Sequence, residues 1–398
     1  MEKNIFSRDF VFAFLAQFAF SFSFFILIPT LPIYLTGQKV ADLEMGILVG
    51  AFSVSSLILR PLVGRGLSRI PERNFMAAGA VIFIFSFIAY LLAPPFWPFL
   101  IVRVFHGIGI AFFYTSAATL IANISPDAYR GRSLSYFFLA YNFAFAVAPS
   151  FGMFVMNLSS FTFLFLVCSG ISFCSLILTT RLRRREVSPS GDLSPEGRSF
   201  LSRKALPPSI MAFFTHIIWG ALTAFFPVYA VDQGVSNPGI FFATFAVMLI
   251  LGRTVGASIL DRYQREKILL PCVITYIIAM VLLAFSKTLP MFILVGAIWG
   301  AGNAFVFPAL VAYTIDLAGA SRGPAMGTFT AACDLGVGLG AMVMGLILRL
   351  TSFPTMFLSL ALVGAINLGY LLFLMAKQKN EIGGIHHGGT EEAEGPGS

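Results

Sequence analysis

Charge is what this chain has least of. Asp, Glu, Lys and Arg make up 11% of its 398 residues, whereas a soluble domain carries roughly 25%. That deficit excludes a water-soluble globular protein, and the length is not to be divided into soluble domains. Cysteine is scarce too: Cys168, Cys174, Cys272 and Cys333 all fall in apolar runs, without the spacing of a disulfide frame or a zinc site. The four histidines, His106, His216, His386 and His387, are too scattered to pair as metal ligands. A Gly-x-x-x-x-Gly-Lys-Ser/Thr loop is missing, so nucleotide hydrolysis is not the energy source. No cofactor and no metal are expected. No small-residue cleavage site precedes a soluble body, so the first apolar run is expected to stay attached as a helix.

Apolar residues take the place of charge. They form 58% of the chain, with 45 phenylalanines and a mean hydropathy of +0.87. A membrane-spanning helix needs about 20 apolar residues, so the charge-free run Ser133 to Thr180, 48 residues long, holds two spans. Twelve helices are expected, near 10–36, 45–65, 74–93, 97–121, 132–156, 160–180, 207–231, 239–260, 267–286, 290–316, 323–348 and 353–376. With the termini and the even-to-odd loops on one side, that side holds 20 of the 26 basic residues. The positive-inside rule then makes both termini cytoplasmic. The net charge of +8 reflects this topology, and no nucleic-acid partner is expected.

Self-comparison shows a chain written twice, at an offset of 192 to 195 residues. Pro32-Ile-Tyr34 answers to Pro227-Val-Tyr229, Arg60 to Arg253, and Gly107-x-Gly109-x-x-Phe112 to Gly300-x-Gly302-x-x-Phe305. Arg130-Gly131 matches Arg322-Gly323, with Asn142 against Asp334 twelve residues on. Six helices per copy, an even number, give two parallel bundles about an axis along the membrane normal, with the binding site between them near the midplane. The fold class is an all-α polytopic membrane protein of two pseudo-symmetric six-helix bundles. Its parts are residues 1–180, a Ser/Pro/Gly-rich cytoplasmic linker 181–206, residues 207–376, and a disordered cytoplasmic tail 377–398.

Three motifs carry a resemblance to the major facilitator superfamily over residues 8–377. The segment Arg60-Pro61-Leu-Val-Gly64-Arg65-Gly66-Leu-Ser68-Arg69-Ile-Pro71-Glu-Arg73 resembles the family's Gly-x-x-x-Asp-Arg-x-Gly-Arg loop, with Ser68 for the acid and Pro71 for the glycine. Arg103-x-x-His106-Gly107-x-Gly109-x-Ala111 is similar to the Arg-x-x-Gln-Gly-x-Gly-x-Ala signature of its proton-linked drug exporters. Ala148-Pro149-Ser-Phe-Gly152-Met153 is a weakened form of their Gly-Pro-x-x-Gly-Gly. The resemblance implies a transporter working by alternating access. It also implies a cytoplasmic latch, mapped here onto Arg60, Gly64, Arg69, Arg73, Arg253, Asp261 and Arg262.

Ionisable groups at membrane depth are expensive and point to function. Five lie inside expected spans away from their ends: Arg103, His106, His216, Arg253 and Asp334. Asp334 is the one carboxylate so deep, ten residues past Pro324 and so about 15 Å along its helix. Low dielectric favours the protonated form of a lone carboxyl, and an approaching cation favours the ionised form. Asp334 is therefore expected to carry the proton, with Arg103 as its electrostatic switch and His106 as relay or ligand contact. By resemblance the cavity wall takes Gln17, Tyr34, Tyr114, Asn142, His216, Trp219, Trp299 and Asn303. Gly107, Gly109, Gly300, Gly302, Gly336 and Gly340 are expected to bring helix backbones together, with Pro149 and Gly152 shaping helix 5.

Aromatic and amide groups with few fixed charges suit a small organic solute better than a phosphate, which would want several converging cations. The reading is a proton-coupled exporter, a monomer in the cytoplasmic membrane of a bacterium, whose partners are the solute, protons and lipid. A proton symporter importing a sugar or organic acid is the alternative. A membrane enzyme or non-transporting receptor finds neither clustered catalytic groups nor a soluble domain here.

Overall fold

The computed structural model describes residues 6–67, 69–94, 96–126, 130–183, 202–255, 262–318 and 322–388. Twelve long helices account for nearly all of them: α1 Arg8–Gly37, α2 Asp42–Gly66, α3 Glu72–Leu92, α4 Trp97–Ile124, α5 Arg130–Leu158, α6 Phe161–Thr180, α7 Leu206–Asp232, α8 Gly239–Val255, α9 Arg265–Phe285, α10 Leu289–Ala318, α11 Arg322–Leu350 and α12 Phe353–Gly388. Eleven are long and apolar enough to cross a membrane, and α8 is a shorter apolar helix. Residues 256–260, onto which the expected eighth span extends, lie outside the described residues. The last helix runs on to Gly388, into the tail that was expected to be unstructured from residue 377.

Local chemistry sets the helix starts. Ser7 and Ser160 lie just ahead of α1 and α6, where their hydroxyls accept from Phe10 N at 3.2 Å and Phe163 N at 3.3 Å, satisfying donors the first turn leaves open. Proline at the first positions of α4 and α7 costs nothing, because those N–H groups have no helical partner. Large apolar side chains such as Phe85, Leu92, Phe154, Leu158 and Phe373 stand more than half exposed, as lipid-facing residues should.

Helix packing reproduces the sequence repeat. In the first half α1 packs on α5 and α6, α3 on α4 and α6, and α2 on α4; in the second, α7 packs on α11 and α12, α9 on α10 and α12, and α8 on α10. The crossing points correspond as well: a methyl at Gly107 would strike Phe52 O and one at Gly300 would strike Phe245 O, two pairs both separated by 193 residues. Small residues replace a hydrophobic drive between helices in lipid. Gly109, Gly302, Gly336 and Gly340 lie similarly close to neighbouring helices, and Gly152 abuts Ile26.

The halves meet through α2 with α11 and α5 with α8, two pairings that exchange under the repeat, and through α1 with α7. On the side away from the termini they touch backbone to backbone. Gly46 faces Ala341 O, Gly50 faces Gly338 O, and Gly239 sits on the Pro149 carbonyl. Asn157 Nδ2 donates to Ser236 O at 3.1 Å and Asn237 Nδ2 to Ser150 O at 3.5 Å. Toward the termini no such contact is made at two further glycines: a methyl at Gly64 of α2 or Gly327 of α11 would meet nothing within 4 Å. Polar contacts described at that end tie helices within one half, among them Asn123 Nδ2 to Glu72 Oε1 at 2.6 Å and Arg265 Nε to Asp316 Oδ2 at 3.0 Å.

Candidate functional site between the two halves

Among the described residues, one ion pair joins α2 and α11. Arg60 Nε lies 3.0 Å from Asp334 Oδ2, and Nη2 donates to Oδ1 at 3.3 Å. A second donation, Nε to Ser56 Oγ at 3.2 Å, steers the guanidinium along α2. The Asp334 side chain is 16% exposed and that of Arg60 31%. The pair is thus enclosed but not dry, a setting in which a proton can reach the carboxylate.

Tyr141 of α5 lies within the electrostatic reach of Arg60, Asp334 and Arg253 together, and its ring centroid is 5.8 Å from that of Tyr114. The Tyr114 hydroxyl shares a hydrogen bond with Ser21 Oγ at 3.1 Å, and Gln17 Nε2 donates to the same oxygen at 3.2 Å. Gln17 Oε1 is buried and has no hydrogen-bond partner among the described residues. Phe145 of α5 meets Trp219 of α7 at 5.2 Å and Phe245 of α8 at 5.7 Å, an aromatic bridge between the halves. His216 and Asn142 are half-buried, and the His216 ring nitrogen Nδ1 bonds Ala212 O at 2.7 Å. Trp299 is fully buried against Trp219, Phe241 and Phe245. Asn303 Nδ2 donates to Tyr276 OH inside the second half.

Three expectations need correcting. Asp334 pairs with Arg60 and not with Arg103. Arg103, 2% exposed, donates from Nε to Leu48 O at 2.7 Å and from Nη2 to Val49 O at 2.8 Å, with its guanidinium 4.8 Å from the Phe52 ring centre. It clamps α2 to α4 at the place where the second half has Gly296 against Phe241 O, so its charge is spent on backbone carbonyls inside the first half. His106 is wholly buried among Phe24, Phe83, Phe87 and Tyr90, with Tyr90 OH 2.9 Å from Nδ1. Tyr34 packs on Phe99, Phe161 and Phe165 within its own half. The repeat explains Tyr34, because Tyr229 packs in the same way on Phe353 and Phe357.

The latch residues scatter. Arg73 Nη2 donates to Thr180 O at 2.6 Å, joining α3 to α6. Gly64, Arg69 and Arg262 are exposed, and Asp261 lies outside the described residues. Among the described residues no three His, Cys, Asp or Glu side chains come together as metal ligands. Sequence reasoning missed Ser21 and Tyr141, and took Arg60 as part of the cytoplasmic latch. The signal for Arg60 was its depth, six residues before the end of α2.

The family model described as Major Facilitator Superfamily matches twice, over residues 13–252 and 209–388. The chain belongs to the major facilitator superfamily. Among curated relatives, this superfamily member is 24% identical to a staphylopine export protein of Staphylococcus aureus over 329 residues, 79% of this chain and 83% of that one. It is 22% identical to the quinolone resistance protein NorA of the same species over 335 residues, 80% and 84% of the two chains. The crystal structure of the nucleoside transporter NupG superposes with a TM-score of 0.77 at 14% identity, covering 93% of this chain and 99% of that one. An integral membrane transporter of the superfamily is therefore the frame in which the interface between the halves has to be understood.

Proposed function

We propose that this transporter exports a small organic solute in exchange for protons, with Asp334 as the proton site and Arg60 as its switch. The observation that carries the reading is the Arg60–Asp334 pair, which joins α2 of one half to α11 of the other. Alternating access requires the halves to rock, and this pair has to break when they do. A proton on Asp334 removes the charge that Arg60 holds, so protonation and movement become one event. Among the described residues, the charged and titratable groups coupled to Asp334 are Arg60 on α2, Tyr141 on α5 and the neighbouring Cys333; Arg253 on α8 acts on the same Tyr141, and His216 on α7 packs beside Gly336. With the terminus side taken as cytoplasmic, the arrangement described here is closed outward. Asp334 would then take its proton in the opposite arrangement and release it on return, re-forming the pair. Arg103 and His106 serve in this scheme as scaffold.

Two of the relatives are named for export or for drug resistance, which favours the outward direction. The weakened helix 5 signature, with Met153 where the exporters carry glycine, favours the alternative of proton symport. Purified protein in liposomes loaded with a pH-sensitive dye separates the two by sign. A quinolone gradient across the membrane should drive protons against the quinolone's own direction. Protons moving with the quinolone would make it a symporter, and no proton movement for any member of a ligand panel that binds would remove the coupling.

A further inference from the structure

The pseudo-twofold repeat makes the α2–α11 interface and the α5–α8 interface two versions of one construction. On the first, Arg60 faces Asp334 at 3.0 Å. On the second, the repeat places Arg253 for Arg60 and Asn142 for Asp334. The cation has been kept and the acid replaced by a neutral amide. Arg253 Nε is buried and has no hydrogen-bond partner among the described residues. Tyr141, next to Asn142 in the chain, lies within electrostatic reach of Arg60, Asp334 and Arg253 alike, so all three charges act on one side chain at the interface between the halves. Among the described residues, the charges acting on Tyr141 are two guanidiniums and one carboxylate, an excess of one positive charge at a depth where an unpaired ion is costly.

We infer that the missing anion is supplied by the solute: Arg253 is the recognition residue for a carboxylate carried by the transported molecule. This rests on the reading of the interface between the halves as a solute pathway, but not on proton coupling. A single guanidinium with no ion-pair partner among the described residues suits a carboxylate, which it can hold through two parallel N–H donors, better than a phosphate, which calls for several converging cations. Two turns back along the same helix, Phe245 joins Phe145 and Trp219 in the aromatic bridge. The solute class is therefore an apolar or aromatic monocarboxylate, its ring toward the bridge and its carboxylate on Arg253.

The test is calorimetric titration of the purified full-length protein, at one pH and without a gradient, with 3-phenylpropionate and its neutral counterpart 3-phenylpropan-1-ol. Wild type should bind the acid at least tenfold more tightly than the alcohol. Arg253→Gln should bring the acid down to the alcohol's affinity, and Arg253→Lys should keep most of the preference. Asn142→Asp writes the absent acid into the second interface and should cancel the preference with Arg253 intact; it carries the test if Arg253→Gln fails to elute as a monodisperse protein. Equal affinities in wild type, no binding of either probe, a preference that survives Arg253→Gln, or displacement of the acid by equimolar phosphate or chloride would each overturn the assignment. A carboxylate preference without solute-driven proton movement would sink the coupling and leave the Arg253 site standing. Proton movement driven by solute in a protein indifferent to Arg253→Gln would do the reverse.

Discussion

Replacing Asp334 by Asn removes a charge and almost no volume, so its consequences belong to the cross-half pair alone. Two unit charges 3.0 Å apart attract by about 5 kcal/mol at an effective dielectric of about 20. Both side chains are partly open to water, at 31% and 16% exposure, and each had to shed some of its own hydration to make the contact. The net advantage over the amide is then roughly 1–2 kcal/mol, between the values for surface pairs and for sealed ones. If the pair forms in this arrangement and not in the opposite one, losing it shifts the equilibrium between them by about 5- to 30-fold. Spin labels at Leu158 and Val231, exposed at the far ends of α5 and α7, report that ratio in a cysteine-free background through their distance distribution. Asp334→Asn should move population from the short to the long distance by roughly tenfold, acidification of wild type should do the same, and the Asn variant should no longer respond to acid through this group. Exchanging the pair in Arg60→Asp with Asp334→Arg should restore the wild-type ratio that either single change disturbs. Distributions that are identical in all five proteins would refute the claim that this pair holds the arrangement.

Gly338→Leu puts a side chain against the α2 backbone at Gly50; it should abolish the arrangement closed on the far side and stop counterflow, while the protein still folds and binds lipid. Arg103→Gln loses two charge-assisted bonds to the Leu48 and Val49 carbonyls, each worth about 1.5–3 kcal/mol, and should lower the melting temperature in detergent by several degrees without changing proton stoichiometry in the protein that remains folded. Tyr90→Phe removes only the hydroxyl that meets His106 Nδ1; a loss of about 1 kcal/mol in stability with unaltered transport is expected, and a changed pH profile would return His106 to the proton path.

Much of the architecture was legible in the sequence because it depends on local pattern. Apolar run length gives the helices, and the doubled landmarks at Arg60 and Arg253, Gly107 and Gly300, and Tyr34 and Tyr229 give two bundles whose packing repeats crossing by crossing. Partner choice was not legible. Arg60 and Asp334 stand 274 residues apart, and whether they meet depends on how α2 and α11 pack beyond their glycine contact. Arg103 looked like the natural counter-ion for Asp334 because it is charged, deep and in an exporter-like motif. Nothing in its neighbourhood announces that two backbone carbonyls of α2 accept its donors. The Tyr34 error has a similar source: a polar aromatic near a helix end is compatible with a cavity wall and with a bundle core, and only the positions of Phe161 and Phe165 decide. Repeat logic, applied to Tyr229 as well, would have favoured the core.

Proton coupling through Asp334 is tested most directly by comparing two fluxes in the same proteoliposomes. With a bound and transported solute in hand, Asp334→Asn should exchange labelled for unlabelled solute at near wild-type rates and yet fail to move it uphill when a pH gradient is imposed. Uphill movement at the wild-type level in that variant would contradict the account.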